Sequence, residues 1–171
     1  SPPKSLSEFA LENSVNKNQK KPLTFWGNIR FEKTFSRDLA DFLAYGGLIG
    51  VSGGIEIATG KGLKDVNKGT DFDSLVASCA SFKEAGILVH AYMIYGFYSE
   101  TPQDLINSME TLRQFFACGL LDSSFWHKFV LTKHSTLFSE YKKGLHPKLK
   151  PIINNDKSWF AQNDISFEGE E

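Results

Sequence analysis

The sequence predicts an α/β fold in which parallel strands alternate with helices, as an open sheet or a partial barrel. Three observations predict it. Helical patterns and short apolar runs alternate along the chain, and the apolar runs begin near residues 23, 48, 87 and 125. A helical pattern fills each interval, and connections of that length are crossovers, which join parallel strands. The last two intervals are nearly equal, as a repeated βα unit requires, yet four strands cannot close an eight-stranded barrel.

Ser5 to Asn18 reads as a helix, with Leu6, Phe9, Ala10 and Leu11 on one face. Pro22 stops it, and Leu23-Thr24-Phe25-Trp26 is a compact strand. Ser36 caps a second helix over Arg37 to Tyr45, striped by Leu39, Phe42 and Leu43; Gly46-Gly47 ends it before the buried strand Leu48-Ile49-Gly50-Val51. A short helix from Lys61 to Val66 leads through Asn67-Lys68-Gly69-Thr70 into a longer one from Asp71 or Asp73 to Glu84. Gly86 closes that helix, and Ile87 to Ile94 is the strongest strand pattern in the chain. Thr101-Pro102-Gln103-Asp104 combines a capping hydroxyl, proline at the first helical position and an acid in the first turn, opening a helix to about Phe116. Phe125 to Leu131 is the last strand, and Leu137 to Lys143 a short closing helix. Beyond it, two prolines and the pair Asn154-Asn155 dissolve the pattern. Residues 1–145 are therefore read as the folded core, and 146–171 as an irregular tail that packs on it through Trp159, Phe160 and Phe167.

Composition narrows the function classes. At 171 residues the chain holds one domain, and 41% apolar with 23% charged residues is an ordinary soluble balance. A net charge of −1 lacks the basic stripe of general nucleic-acid binders, and the Lys17 to Lys21 stretch reads as a solvated helix end. No apolar run has the length of a membrane span and no signal-peptide pattern opens the chain, so a cytoplasmic protein is expected. Cys79 and Cys118 are far apart and read as free thiols in a reducing compartment. The Ser1-Pro2-Pro3 start and the acidic end from Glu168 to Glu171 are those expected of a fragment.

In parallel α/β folds ligands bind beyond the carboxyl ends of the strands. Those positions read Gly27 to Glu32, Ser52 to Glu56, Tyr95 to Glu100 and Thr132 to Ser135, converging on a polar crevice with Arg30, Glu56, Glu100 and His134. Each has an ordinary alternative. Arg30 would serve equally as a surface ion pair, Glu56 as an amide cap, His134 as an exposed histidine, and Glu100 as an acid favoured before a helix N-terminus. Gly53-Gly54 suits any tight turn. His90 reads as a satisfied core residue, and His127 as able to face either way. Gly60-Lys61-Gly62 lacks the spacing of a phosphate loop, and there is no nucleophile elbow, His-Glu-x-x-His or two-metal carboxylate set.

Taken in order, these segments resemble the second half of the radical S-adenosylmethionine superfamily core. Gly54-Ile55-Glu56, then Leu63 and Asn67-Lys68-Gly69-Thr70, resemble its strand-four pattern. Phe82 to Ile87 resembles the Lys-Glu-Ala-Gly-Ile lead-in, and Ile94 to Thr101 the Ile-x-Gly-Phe-Pro-Gly-Glu-Thr turn, of strand five. Phe25 to Glu32 then corresponds to strand three, Phe125 to Ser135 to strand six, and the opening helix to the one after strand two. The resemblance runs from residue 1 to about 145 and implies a TIM-barrel-like half-barrel with a C-terminal extension.

It also implies a site. Gly54 and Glu56 would contact S-adenosylmethionine from strand four, Ile94 and Gly96 would form the adenine-facing wall, Leu131 to His134 would complete it, and Arg30 would lie at the methionyl or substrate side. Three departures stand out: Ile57-Ala58 replaces Ser-Gly, Tyr98-Ser99 replaces Pro-Gly, and the Cys-x-x-x-Cys-x-x-Cys loop that holds the [4Fe-4S] cluster is absent. Without three thiolates this chain alone is expected to be inactive. It is then the C-terminal part of an iron–sulfur, oxidoreductase-like enzyme whose missing N-terminal half supplies the cluster, or a cluster-free ligand-binding relative. A half-barrel would expose a strand edge, so self-association through that edge is expected. The substrate, and whether a cobalamin-binding domain accompanies the barrel, stay open.

Overall fold

The computed structural model describes residues 2–15, 23–56, 72–153 and 163–169. Helix α1 (Pro3–Val15) leads to β1 (Phe25–Ile29), α2 (Arg37–Tyr45), β2 (Leu48–Glu56), α3 (Phe72–Glu84), β3 (Leu88–Tyr95), α4 (Pro102–Ala117) and β4 (Ser123–Lys128). The four strands form one sheet in the order β1-β2-β3-β4, every pair parallel. Sequential order is the pattern of a barrel arc. A doubly wound sheet reverses direction at a switch point, whereas an arc keeps its helices on one side.

Strand parity bears this out. Ile29, Val51, Val89, Ala91 and Met93 are buried among Leu6, Ala10, Leu43, Leu75, Phe82 and Phe115 of the helices. The alternate residues face away from the helices. From the amino to the carboxyl ends they register as Trp26–Gly50–Leu88, Asn28–Ser52–His90–Ser123, Gly54–Tyr92–Phe125 and Ile94–His127. Two close approaches explain two of the three glycines of β2. A Cβ on Gly53 would lie 2.5 Å from the buried ring of Phe31, and one on Gly50 would lie 2.1 Å from the indole of Trp26.

Local signals place the helices where the sequence sets them. Ser36 accepts the Leu39 amide, and Thr101 with Asp104 forms a reciprocal capping box that satisfies orphan donors at the start of α4. Gly47, Gly86 and Gly119 each follow a helix with positive φ, giving the three helix-to-strand turns one geometry. Asn13 Nδ2 donates to the carbonyls of Leu23 and Gly46, fastening the end of α1 to both β1 and α2.

The predicted last strand is divided. β4 begins two residues earlier and stops at Lys128, and Leu131–Thr132 becomes a separate strand, β5, followed by α5 (Thr136–Lys142). The stretch read as an irregular tail contributes β6 (Pro151–Ile152) and β7 (Asp164–Phe167), which join β5 antiparallel in the order β5-β7-β6. Leu131, Phe138, Leu149, Ile165 and Phe167 form a second buried cluster there, with Tyr98 and Phe129 of the arc packed against it. Strand β2 runs on through Glu56 because its small residues lie beneath the rings of Trp26 and Phe31. The expected helix at Lys61 to Val66, the Lys17 to Lys21 stretch, Trp159 and Phe160 lie outside the described residues. No helix among the described residues is long and apolar enough to cross a membrane.

Candidate functional site

The carboxyl ends of β2 and β3 bring four of the predicted residues to one rim. Gly54 is exposed on the helix-free face of β2 and pairs with Tyr92; Glu56 ends that strand, its Cα paired with Met93. Ile94, half-buried on the same face of β3, pairs with His127. Gly96 follows with φ +78, a left-handed conformation that lets the chain turn sharply beside the strand end.

Glu100 does more than favour a helix start. Its Oε2 accepts the Gly96 amide at 2.7 Å, closing the turn on itself, while the helix is capped by Thr101. The other carboxylate oxygen is buried and has no hydrogen-bond partner among the described residues. A buried acceptor is costly to leave unpaired.

Arg30 lies one residue past β1 and is exposed. It borders a groove of about 500 Å³ lined also by Pro2, Pro3, Asn28, Ile29, Glu32 and Phe35. The groove sets a guanidinium and a carboxylate against an apolar floor, a composition suited to a small charged ligand.

His134 is not on the arc. The break after Lys128 moves Leu131 into the antiparallel sheet, where it pairs with Ile165, and His134 falls in the exposed turn between β5 and α5. His90, read as a core residue, is instead half-buried on the helix-free face, where Nδ1 shares a hydrogen bond with Ser123 Oγ at 2.7 Å. Its neighbours Val89 and Ala91 carry the burial, and that alternation is the signal that places it outside the core.

One linkage escaped the sequence altogether. Tyr98 Oη meets His146 Nδ1 at 2.9 Å, and His146 Nε2 meets Glu140 Oε2 at 2.9 Å, joining the turn after β3 to α5 and the segment before β6. Partners 48 and 6 residues apart follow no motif spacing.

Both cysteines are free thiols. Cys79 is buried in α3, where burial pushes its thiol up to about 12, and Cys118 is exposed at the end of α4. Among the described residues no group of three His, Cys, Asp or Glu side chains is positioned to hold a metal ion.

No protein-family model matches the chain, and no curated protein matches it. Solved structures do. A radical S-adenosylmethionine methyltransferase, TsrM from Kitasatospora setae, with cobalamin and a [4Fe-4S] cluster bound, superposes with a TM-score of 0.69 at 17% identity, over 90% of this chain and 31% of its own. The same enzyme with tryptophan and an aza analogue of S-adenosylmethionine superposes with a TM-score of 0.61 at 18% identity, over 76% of this chain and 24% of its own. The chain thus has the fold of a part of that enzyme, an arc of a TIM-like barrel, and spans less than a third of its length.

Proposed function

We propose that this chain is the C-terminal part of a radical S-adenosylmethionine core barrel and supplies the wall that holds S-adenosylmethionine, while polypeptide outside it carries the iron–sulfur cluster. The observation that carries this reading is the arc itself. Its four parallel strands run in sequential order with helices on one face only, and β3 ends in a left-handed glycine turn closed by Glu100.

The residues present fit one of the two groups. Three thiolates are needed to hold a [4Fe-4S] cluster with an open iron, and a chain with two cysteines, one buried in the core, has no such set. The S-adenosylmethionine side fits better. Ile94 offers an apolar face, and Gly96 lets a planar group approach the backbone. Gly54 leaves the end of β2 open beside Glu56, and Arg30 can meet a carboxylate. S-Adenosylmethionine held here would, on accepting one electron from a reduced cluster, supply an adenosyl radical and release methionine. This chain's part is to position the adenine and ribose and to exclude water from the rim.

The reading requires the rest of the barrel as partner. Among the described residues β1 pairs only with β2 and β4 only with β3, so both outer edges are free to continue the sheet.

The test is reconstitution. The polypeptide encoded beside this chain is sought for a three-cysteine loop, the two are combined, iron and sulfide are added anaerobically, and the reduced cluster is followed by electron paramagnetic resonance. The expected result is a spectrum that changes on adding S-adenosylmethionine, and 5′-deoxyadenosine formed only when both parts are present. Glu56→Ala is expected to lower that product about tenfold, the loss of one charged contact. Absence of a three-cysteine loop from the neighbouring sequence, with tight binding of S-adenosylmethionine by this chain alone, would instead establish the cluster-free module.

A further inference from the structure

The helix-free face does not look like the interior of a filled barrel. Such interiors are packed mainly with branched aliphatic side chains, whereas this one carries rings and imidazoles. The indole of Trp26 lies against Gly50 and is pinned by donation from Nε1 to Ser52 Oγ at 2.6 Å, yet it remains 46% exposed. One layer towards the carboxyl ends, the His90 ring meets Tyr92 edge-on at 4.9 Å; Tyr92 reaches His127 at 5.5 Å, and His127 meets Phe125 at 4.7 Å. The four rings form a continuous ladder over two adjacent strands, ending on a Phe125 that is 56% exposed.

The polar edges of this ladder are only partly used. His90 engages one ring nitrogen with Ser123, and its other nitrogen, like both nitrogens of His127, has no hydrogen bond to a described residue. On the open arc, water meets those groups. When the remaining strands close the barrel, water leaves, and an imidazole nitrogen without a partner becomes costly. Aliphatic side chains from the closing strands would fill the space and leave the nitrogens unpaired. A flat ring system with nitrogen at its edge satisfies both demands, stacking on the ladder and pairing with the imidazoles.

We propose that this face binds a planar heteroaromatic substrate, stacked on the Tyr92–His127–Phe125 ladder, with the free nitrogen of His90 as its hydrogen-bond partner and Trp26 as the wall at the amino ends of the strands. The inference rests on the arc's belonging to a closed barrel, where closure takes water from a ladder that is already formed in this chain and open to a probe.

The chain has four histidines, so imidazole signals from the full chain labelled with carbon-13 at Cε1 report on the site directly. Benzimidazole is the probe, and indene, of the same shape but without nitrogen, is its control. Benzimidazole is expected to move the His90 and His127 signals by ring current while His134 and His146 stay in place, and to bind about fivefold more tightly than indene, the worth of one hydrogen bond. His90→Phe is expected to erase that preference while keeping the stacking, and Tyr92→Leu to weaken both probes several-fold. Absence of a response in the unaltered chain, an equal response at His134 and His146, or equal binding of indene and benzimidazole overturns the proposal without recourse to any variant. The two readings also fail separately. A benzimidazole response with failed reconstitution removes the cosubstrate wall, and successful reconstitution without that response removes the substrate platform alone.

Discussion

From α1 to β4 the buried side chains form one continuous cluster on the helix side of the sheet, from Leu6 to Leu121, whereas beyond Phe129 it shrinks to five residues around Phe138 and Phe167. The arc is joined by ladders of parallel strands up to six residues long; the module after it rests on strand pairings of two. Polar links accompany the smaller cluster. Lys150 pairs with Glu168 across β6 and β7, and the Tyr98–His146–Glu140 chain ties the module to the rim, beside ring contacts of Phe129 with Phe97 at 4.9 Å and Phe167 at 5.8 Å. The contrast teaches where cooperativity resides. Apolar area sets stability in the arc, while the module depends on its seam.

The hardest test of that contrast compares one buried ring from each region. Phe82 is fully buried and meets Phe35 at 5.1 Å. Phe82→Ala is expected to lower the unfolding free energy by about 3–5 kcal/mol and shift the whole urea transition. Phe167→Ala should leave the arc's midpoint in place and open only β5, α5, β6 and β7, read as faster amide exchange there. If both variants shift one common transition, arc and module are a single unit and the contrast is lost.

Next in size is a change at the start of the arc. A Cβ on Gly46 would lie 2.4 Å from Ala10 Cβ and 2.8 Å from the Ala10 carbonyl oxygen, and helix backbone cannot give way as a side chain can. Gly46→Ala should therefore cost about 1–3 kcal/mol through overpacking and loosen α1 from α2. Exchange protection lost in α1 but kept in β3 is the expected signature; an unchanged midpoint would mean that α1 is not part of the cooperative core.

The two regions were unequally legible in the sequence. Strands buried on one face announce themselves as apolar alternation, so Val89, Ala91 and Met93 place β3 to within a residue, and Ser36 and Thr101 mark helix starts by their chemistry. The carboxyl half of β2 was hidden because Ser52-Gly53-Gly54 has no strand preference; its small residues are there for the rings that lie over them. Strands of two residues, such as β5 and β6, carry no period to detect. Of the site, the glycine turn at Gly96 was readable as a pattern in sequence order, while His134 was misplaced because nothing local marks the break after Lys128.

The seam gives the third test. His146→Phe keeps a flat ring but removes both hydrogen bonds, to Tyr98 and to Glu140. Each is partly exposed, so the loss should be about 1 kcal/mol, seen as roughly fivefold faster exchange of the amides of β5 and β7 with β3 unchanged. Unaltered exchange in the module would show that its small apolar cluster suffices and that the polar chain is incidental.

The smallest effect belongs to the arc and depends on pH. Burial pushes the Asp122 carboxyl up, but donation from Lys83 and from the Val89 amide outweighs it and leaves the group below its ordinary value. A carboxylate depressed in the folded state adds stability that is fully present above its unfolded value of about 3.9 and is lost as pH falls through the lower folded value. Because both partners are about 30% exposed, solvent screens the pair, and Asp122→Asn should cost only about 1 kcal/mol at neutral pH. Stability curves for the two proteins should then converge as pH drops below about 4. A difference that persists undiminished into acid would mean that the side chain acts through packing between β3 and β4, and that even in the arc this charge contributes nothing of its own.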